Sequence, residues 1–344
     1  MKKIIALSVC IVILSAVALF MYGNFDYKAG KGNGVSRRVE SLDEFKVATA
    51  DVLNSFPTFF TSDEETPSPM SAEKIDDLKK TSATIIIDTY SHDIFDIYVD
   101  RNEGGYSNYI DTYTDMTIDG TETWYLTEDG RCLAIGKYQI IEHSSDSGEG
   151  KNSTVDMEFE VYVSENDEIF IRYKSLDSSS AISPEFKEKV LGKWLDISSG
   201  ELESVTAMLI PMIEKNIAWL HLIHDYVNDN PDGFTKEESV YKMKDETFKS
   251  FTNDNAALND SMGFLPPESY DVKGNMAINL EDKKSPVVNL VINEAVCDYE
   301  IDGVSVHTSS SLVQTVKITN IDNTVIKMGE IDAKTLEEIL GIDD

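Results

Sequence analysis

Residues 153–163 read STVDMEFEVYV, residues 164–168 SENDE and residues 169–176 IFIRYKSL. In the first run Val155, Met157, Phe159, Val161 and Val163 fall on one side of an extended chain, and Asp156, Glu158, Glu160 and Tyr162 on the other. Setting Ser164 opposite Glu168 across Glu165-Asn166-Asp167 brings Val161 to Ile171 and Phe159 to Tyr173 on the inner side. The same register brings Glu160 to Arg172 and Glu158 to Lys174 on the outer side. A slip of one residue would turn every side chain over, so agreement on both sides predicts an antiparallel hairpin.

Working outward, the same period of two predicts strands over 83–90, 94–100 and 105–111, then 274–280, 286–293 and 312–327. Asp129-Gly130 separates Glu122–Thr127 from Arg131–Glu142, and Asp302-Gly303 separates Val296–Ile301 from Val304–Thr308, both in the manner of short hairpins whose turns need positive φ. In the second hairpin Tyr299 should face Val306 and Asp298 should face His307.

Helices are expected over 42–56, where Ser41 caps and Glu44 completes a capping box, and over 71–80, 184–191 and 237–250. The longest, 200–227, carries a stripe of Leu202, Val205, Leu209, Met212, Ile213, Leu220, Ile223 and Val227, with a kink expected at Pro211. Met208, Ile210, Ile217 and Trp219 widen that stripe beyond one face, so the helix must be covered on more than one side or face an apolar ligand. Glu214, Lys215 and Asn216 in its middle exclude a transmembrane reading.

The chain has 344 residues, 62 acidic against 30 basic, for a net charge of −32. Residues 1–39 carry Lys2, Lys3, Lys28, Lys31, Arg37 and Arg38 against Asp26, a net +5, which leaves −37 for 40–344. Such a body would be repelled by phosphate backbones, which excludes sequence-independent nucleic-acid binding. Lys2 and Lys3 precede an apolar run from Ile4 to Tyr22, about the 20 residues that span a bilayer. The run suits either a retained anchor or an export signal cleaved near Ala18, and its continuation through Leu19-Phe20-Met21-Tyr22 favours retention. Residues 23–40, rich in glycine and basic groups, read as a flexible tether, and 41–344 as one extracytoplasmic domain.

No motif implies an enzyme or a cofactor. Ser71-Ala72-Glu73-Lys74 has the spacing of a serine–lysine pair, but the companion elements of that chemistry are missing. Asn228, Asn230, Asp232 and Gly233 match the first half of a calcium loop, but Ser239 stands where its bidentate glutamate belongs, and a Thr235/Glu238 capping box is the plainer reading. His221 and His224 with Asp225 lack a third metal ligand. Cys132 and Cys297 form a candidate disulfide if their strands are neighbours.

Gly192-Lys193-Trp194-Leu195-Asp196-Ile197 and the stretch from Val316 to Lys327, in the order helix, hairpins, inserted helices, strands, resemble the LolA-like and LppX-like bacterial lipoprotein carriers over about 83–330. The resemblance implies an α+β fold in which a large curved antiparallel sheet, like half a barrel, holds the helical block on its concave face. The expectation is a membrane-anchored, non-enzymatic binding protein for an apolar or lipid-like ligand, with Trp194, Met208, Met212, Ile217 and Trp219 lining its cavity. The competing expectation is a cell-surface interaction or sensor module with a solid core and an acidic face, its protein partner unspecified. A closed core and an exposed apolar patch elsewhere would distinguish it.

Overall fold

A computed structural model describes residues 27–56, 80–103, 106–146, 149–178, 184–197, 209–254, 270–301, 304–334 and 338. The helix expected over 71–80, the serine–lysine pair, the apolar run at 4–22 and Met208 lie outside the described residues, as does the side chain of Met212. The fold is α+β, dominated by one open mixed sheet of twelve strands. The strands are β2 (Ala83–Glu103), β3 (Tyr106–Leu126), β4 (Cys132–Asp146), β5 (Glu149–Val163), β6 (Ile169–Ser178), β7 (Trp194–Asp196), β8 (Phe234–Glu237), β9 (Val240–Met243), β10 (Tyr270–Asn279), β11 (Val287–Ile301), β12 (Val304–Thr319) and β14 (Ala333–Lys334). Their order is β14-β7-β6-β5-β4-β3-β2-β12-β11-β10-β9-β8, antiparallel except where β14 joins β7. The helices are α1 (Leu42–Leu53), α2 (Pro184–Val190), α3 (Leu209–Asp229) and α4 (Asp245–Asp254).

The hairpin read first is present: Val161 pairs with Ile171, Phe159 with Tyr173 and Glu160 with Arg172, and the Ser164 N–H donates to the Glu168 carbonyl at 2.9 Å. Asp167 supplies the left-handed turn residue at φ 61°. A bulge after Glu158 shifts the register, so Glu158 faces Ser175, and its carboxylate meets Lys137 at 3.2 Å instead of Lys174. The Asp129-Gly130 hairpin closes as expected, as do the pairs of Tyr299 with Val306 and Asp298 with His307.

The strands expected over 83–90, 94–100 and 105–111 are the continuous β2 and the start of β3, paired from Ala83–Leu126 to Glu103–Tyr106. Twenty-one residues each, they extend about 70 Å. Ser91-His92-Asp93 reads as a break, yet Ser91 and Asp93 hold inward positions and are buried, so the period is unbroken. The strand expected over 312–327 is divided by a turn at Asn320 and Asp322, φ 53° and 63°, into β12 and β13 (Thr324–Met328). The helix expected over 237–250 is half hairpin, since Glu238 at φ 55° turns β8 into β9 before α4 begins. Thr235 accordingly donates to the Lys242 carbonyl across that hairpin instead of capping a helix. Pro211 stands in the first turn of the described span of α3, where its missing N–H breaks no bond of that span.

The tether reading of 23–40 is corrected. Residues Tyr27–Lys31 form β1, paired along its length with β13. Beyond it, Gly34 exchanges hydrogen bonds with the Asn323 side chain, Arg37 bridges Asp51 and Asp322, and Val39 is fully buried. A β-carbon at Gly32 would stand 2.7 Å from Asn323 Oδ1, so glycine there reflects close backbone approach.

One face of the sheet shares the main core with α1 and α3 and with Phe248 and Phe251 of α4, joining Phe45, Val52, Ile217, Trp219 and Ile223 to Ile85, Trp124, Phe159, Leu290 and Val316. Ser41 caps α1 as expected, accepting from the Glu44 N–H at 3.2 Å, while the Glu44 carboxylate reaches past it to the Glu40 N–H at 2.6 Å. The β1–β13 ribbon forms a smaller cluster with Leu133, Tyr162 and Trp194 of the sheet. By strand parity those residues belong to the opposite face from Ala134, Val161 and Leu195 of the main core.

Candidate functional site

Among the described residues two acidic side chains are wholly buried, one on each face of the sheet. Glu122 of β3 holds an inward position between Trp124 and Gly120, all three on the parity that faces α3. Its carboxyl group accepts from the Trp124 indole N–H at 2.7 Å, from the Tyr138 hydroxyl, and from Asn216 Nδ2 at 3.1 Å. Asn216 lies on α3 and also donates to the Tyr138 hydroxyl oxygen at 2.8 Å. Its own Oδ1 accepts from Gln314 Nε2 at 3.1 Å and from Thr89 at 3.4 Å. One helical amide is thereby tied to four strands through Thr89, Glu122, Tyr138 and Gln314.

Glycine makes the site. Gly120 is the cross-strand partner of Tyr138, and a β-carbon there would stand 2.2 Å from the ring. Gly136 does the same for Phe159 at 2.1 Å, and the two rings lie stacked with centroids 5.9 Å apart. The rings lie flat on the sheet because no side chain stands beneath them.

All three donors to Glu122 are neutral, and burial raises its carboxyl above the ordinary value, against the lowering effect of those hydrogen bonds. Burial also pushes the Tyr138 hydroxyl up, with Glu122 adding to the shift. Within the same interface Gln314 Oε1 and Trp219 Nε1 are buried with no hydrogen-bond partner among the described residues. Each such group costs about 1–3 kcal/mol, so the interface is not optimised for stability alone.

Glu160 on the other face solves burial differently. It accepts from Arg172 Nε at 2.8 Å and Nη2 at 2.5 Å, pairs with Lys174, and receives the Tyr27 hydroxyl at 2.5 Å. Arg172 lies 4.5 Å over the Trp194 ring. Tyr27 belongs to β1, so this node fastens the first described strand to the sheet, and burial with the Glu160 bond raises its phenol above the ordinary value.

Of the residues expected to line one apolar cavity, the three described side chains do not share one face of the sheet. Ile217 and Trp219 are buried in the main core, Trp219 tilted against Phe251 at 6.0 Å, whereas Trp194 belongs to the ribbon cluster on the opposite face. The candidate disulfide is corrected. Cys132 and Cys297 both remain thiols, on strands four places apart in the sheet, about 19 Å across. Through the register their rows cross β2 at Ala83 and at Phe95, a further separation of about 40 Å along the strands. A disulfide allows about 7 Å between α-carbons. Burial raises the Cys132 thiol.

His221 is mostly buried and its imidazole lowered by that burial, while His224 contacts Asp225 at 3.0 Å. No cluster of three metal-ligating side chains occurs among the described residues. The half calcium loop is divided between the end of α3 and a 3₁₀ turn at Pro231–Gly233, and Asn230 donates to the Tyr226 carbonyl.

Sequence reasoning missed Glu122, Tyr138, Gln314 and Thr89 as a group. Their signal was a polar residue on an apolar parity: Glu122 in step with Trp124 and Leu126, Gln314 in step with Leu312, Val316 and Ile318. Tyr27, inside a basic glycine-rich segment, gave no such signal.

No protein-family model matches the chain, and no curated protein is similar to it in sequence.

Proposed function

We propose that the chain is a non-enzymatic, extracytoplasmic interaction module, carried at the membrane by its N-terminal segment, that engages a cationic polypeptide through the exposed part of the outer sheet face, beyond the β1–β13 ribbon. The observation that supports this most is an exposed apolar group amid acids. Tyr90, Tyr98 and Val313 are 46%, 41% and 46% exposed, and Tyr90 faces Val313 across β2 and β12. Asp88, Asp96, Asp115 and Asp119 share that face by strand parity, with Asp119 paired to Tyr90. Aromatic rings beside carboxylates suit Lys and Arg, whose stems pack on the rings while their charges meet the acids.

The carrier reading, an apolar or lipid-like ligand held between a curved, half-barrel-like sheet and helices on its concave face, comes second. It is supported by the width of the α3 stripe and by the LolA-like resemblance, but Ile217 and Trp219 are already covered by protein. A fluorescent oligolysine peptide tests the first reading. Tyr90→Ser with Val313→Ser leaves the charge unchanged and should weaken binding about tenfold, or about 1.4 kcal/mol. Equal affinity of variant and wild type would overturn it. Co-purifying lipid in native mass spectrometry would support the second reading instead.

A further inference from the structure

We propose that Glu122 is a proton-operated latch: a buried acid at the centre of the α3–sheet interface, whose carboxyl lets α3 lie closed on the sheet while protonated and loosens α3 when it ionises. This goes beyond the proposed interaction face and does not depend on it.

The geometry has three parts. Glu122 is fully buried, and its contacts are an indole, a phenol and an amide, with no cation among the described residues. Two of the three contacts, Trp124 and Tyr138, come from the sheet, so Asn216 is the member that can leave with a moving helix. Gln314 Oε1 and Trp219 Nε1, both on this interface and unpartnered among the described residues, reach water if the helix moves.

Among the described residues no other ionisable group shifts the carboxyl besides Tyr138. From β4 the facing titratable group is Tyr138, whose hydroxyl burial raises far above the neutral range. From β2 the opposite residue is Ile87, and the turn after α1 sends Phe56 against Trp124. Asp51 of α1 is held by Arg37, and Asp93 lies further along the inner side of β2. On α3 itself His221 also titrates, and its imidazole is lowered by burial, so the experiment must separate it from Glu122.

The sign follows from burial. Closed, the carboxyl holds its proton more tightly than it does once water reaches it. The opening equilibrium therefore rises about tenfold per pH unit between the ordinary carboxyl value, about 4.3, and the higher value of the closed protein. Below that window the latch is fully held, and above it the contribution is lost.

Hydrogen-exchange protection factors of residues 209–229, measured on the full chain from about pH 5 to about pH 8, test the proposal. Wild type should lose protection with rising pH, and Glu122→Gln, which has no proton to lose, should give a flat profile. His221→Asn should leave the wild-type slope in place. A flat wild-type profile, or the same slope in Glu122→Gln, overturns the latch. Should Glu122→Gln not fold, the carboxyl carbon resonance of Glu122 in the wild type decides. Titration above the ordinary range supports the proposal, and titration within or below it overturns the proposal.

Discussion

Substituting Gly120 by alanine should destabilise the protein through a tyrosine rather than through the backbone. The new methyl would lie 2.2 Å from Cδ1 and Cε1 of Tyr138. Carbon atoms settle at about 3.5–4.0 Å, so the ring must rise by more than about 1 Å. The ring also packs against Phe159, parallel to it with centroids 5.9 Å apart and 6° between planes. The hydroxyl is also committed, donating to Glu122 and accepting from Asn216. Overpacking costs about 1–3 kcal/mol, and loss of a buried hydroxyl's partners about 1–3 kcal/mol more, so the expected cost is about 4 kcal/mol. Urea unfolding reads it as a lower midpoint at unchanged slope. The background separates the two parts. With Tyr138→Phe the clash stays and the hydroxyl is gone, so Gly120→Ala should cost only about 1–3 kcal/mol. With Tyr138→Ala nothing stands over the methyl, and alanine should gain up to about 1 kcal/mol over glycine in a strand. The same cost in all three backgrounds, or a Gly120→Ala protein within about 0.5 kcal/mol of wild type, would refute the reasoning.

Tyr27→Phe removes one hydrogen bond to a buried carboxylate and should cost about 1.5–3 kcal/mol. It should raise hydrogen exchange in residues 27–31 ahead of the rest of the sheet, and uniform change across the sheet would show that β1 is not held by that bond. Cys132 and Cys297 should resist a thiol reagent in the native protein and react on unfolding without reductant, because both are buried thiols. An intact mass lower by two hydrogens would contradict this.

The hairpin at 153–178 was legible because two faces constrained one register, and the strands around it followed from their period and their Asp-Gly turns. The departures have local causes. Ser91-His92-Asp93 reads as a loop because polar residues in sequence suggest exposure, whereas Ser91 and Asp93 are buried, and Glu237–Ser250 reads as one helix because the left-handed turn falls on Glu238 with no glycine to mark it. Burial of a polar side chain is decided by distant partners: Glu160 reads as an outward, solvated position until β1, 133 residues earlier at Tyr27, covers it. The candidate site was hidden for the same reason, since Glu122, Asn216 and Gln314 meet only once 94 and 98 residues of chain separation are closed. The basic glycine-rich segment failed in the other direction. Glycine there suggested freedom, and instead permits close approach to Asn323.

The two buried acids also predict opposite consequences of one chemical change. At Glu160 a carboxylate balances Arg172 and Lys174, and glutamine would leave both cations beside a neutral amide. Losing one member of a buried ion pair costs about 3–5 kcal/mol, somewhat less here because Lys174 is 43% exposed. At Glu122 no cation is present among the described residues, so glutamine removes no charge balance there. It leaves the Trp124 N–H without its oxygen or the other two donors without theirs, at about 1–3 kcal/mol. The folded carboxyl of Glu122 is raised above its unfolded value, so its contribution is complete below the unfolded value and is lost as pH rises through the folded one. The wild type loses that contribution with rising pH and Glu122→Gln does not. The gap between the two should therefore be widest near about pH 5 and shrink toward alkaline pH. Urea midpoints across that range check it: a Glu122→Gln cost that stays constant with pH would mean that Glu122 is ionised in the fold throughout, and that its three neutral donors alone suffice to hold a buried charge.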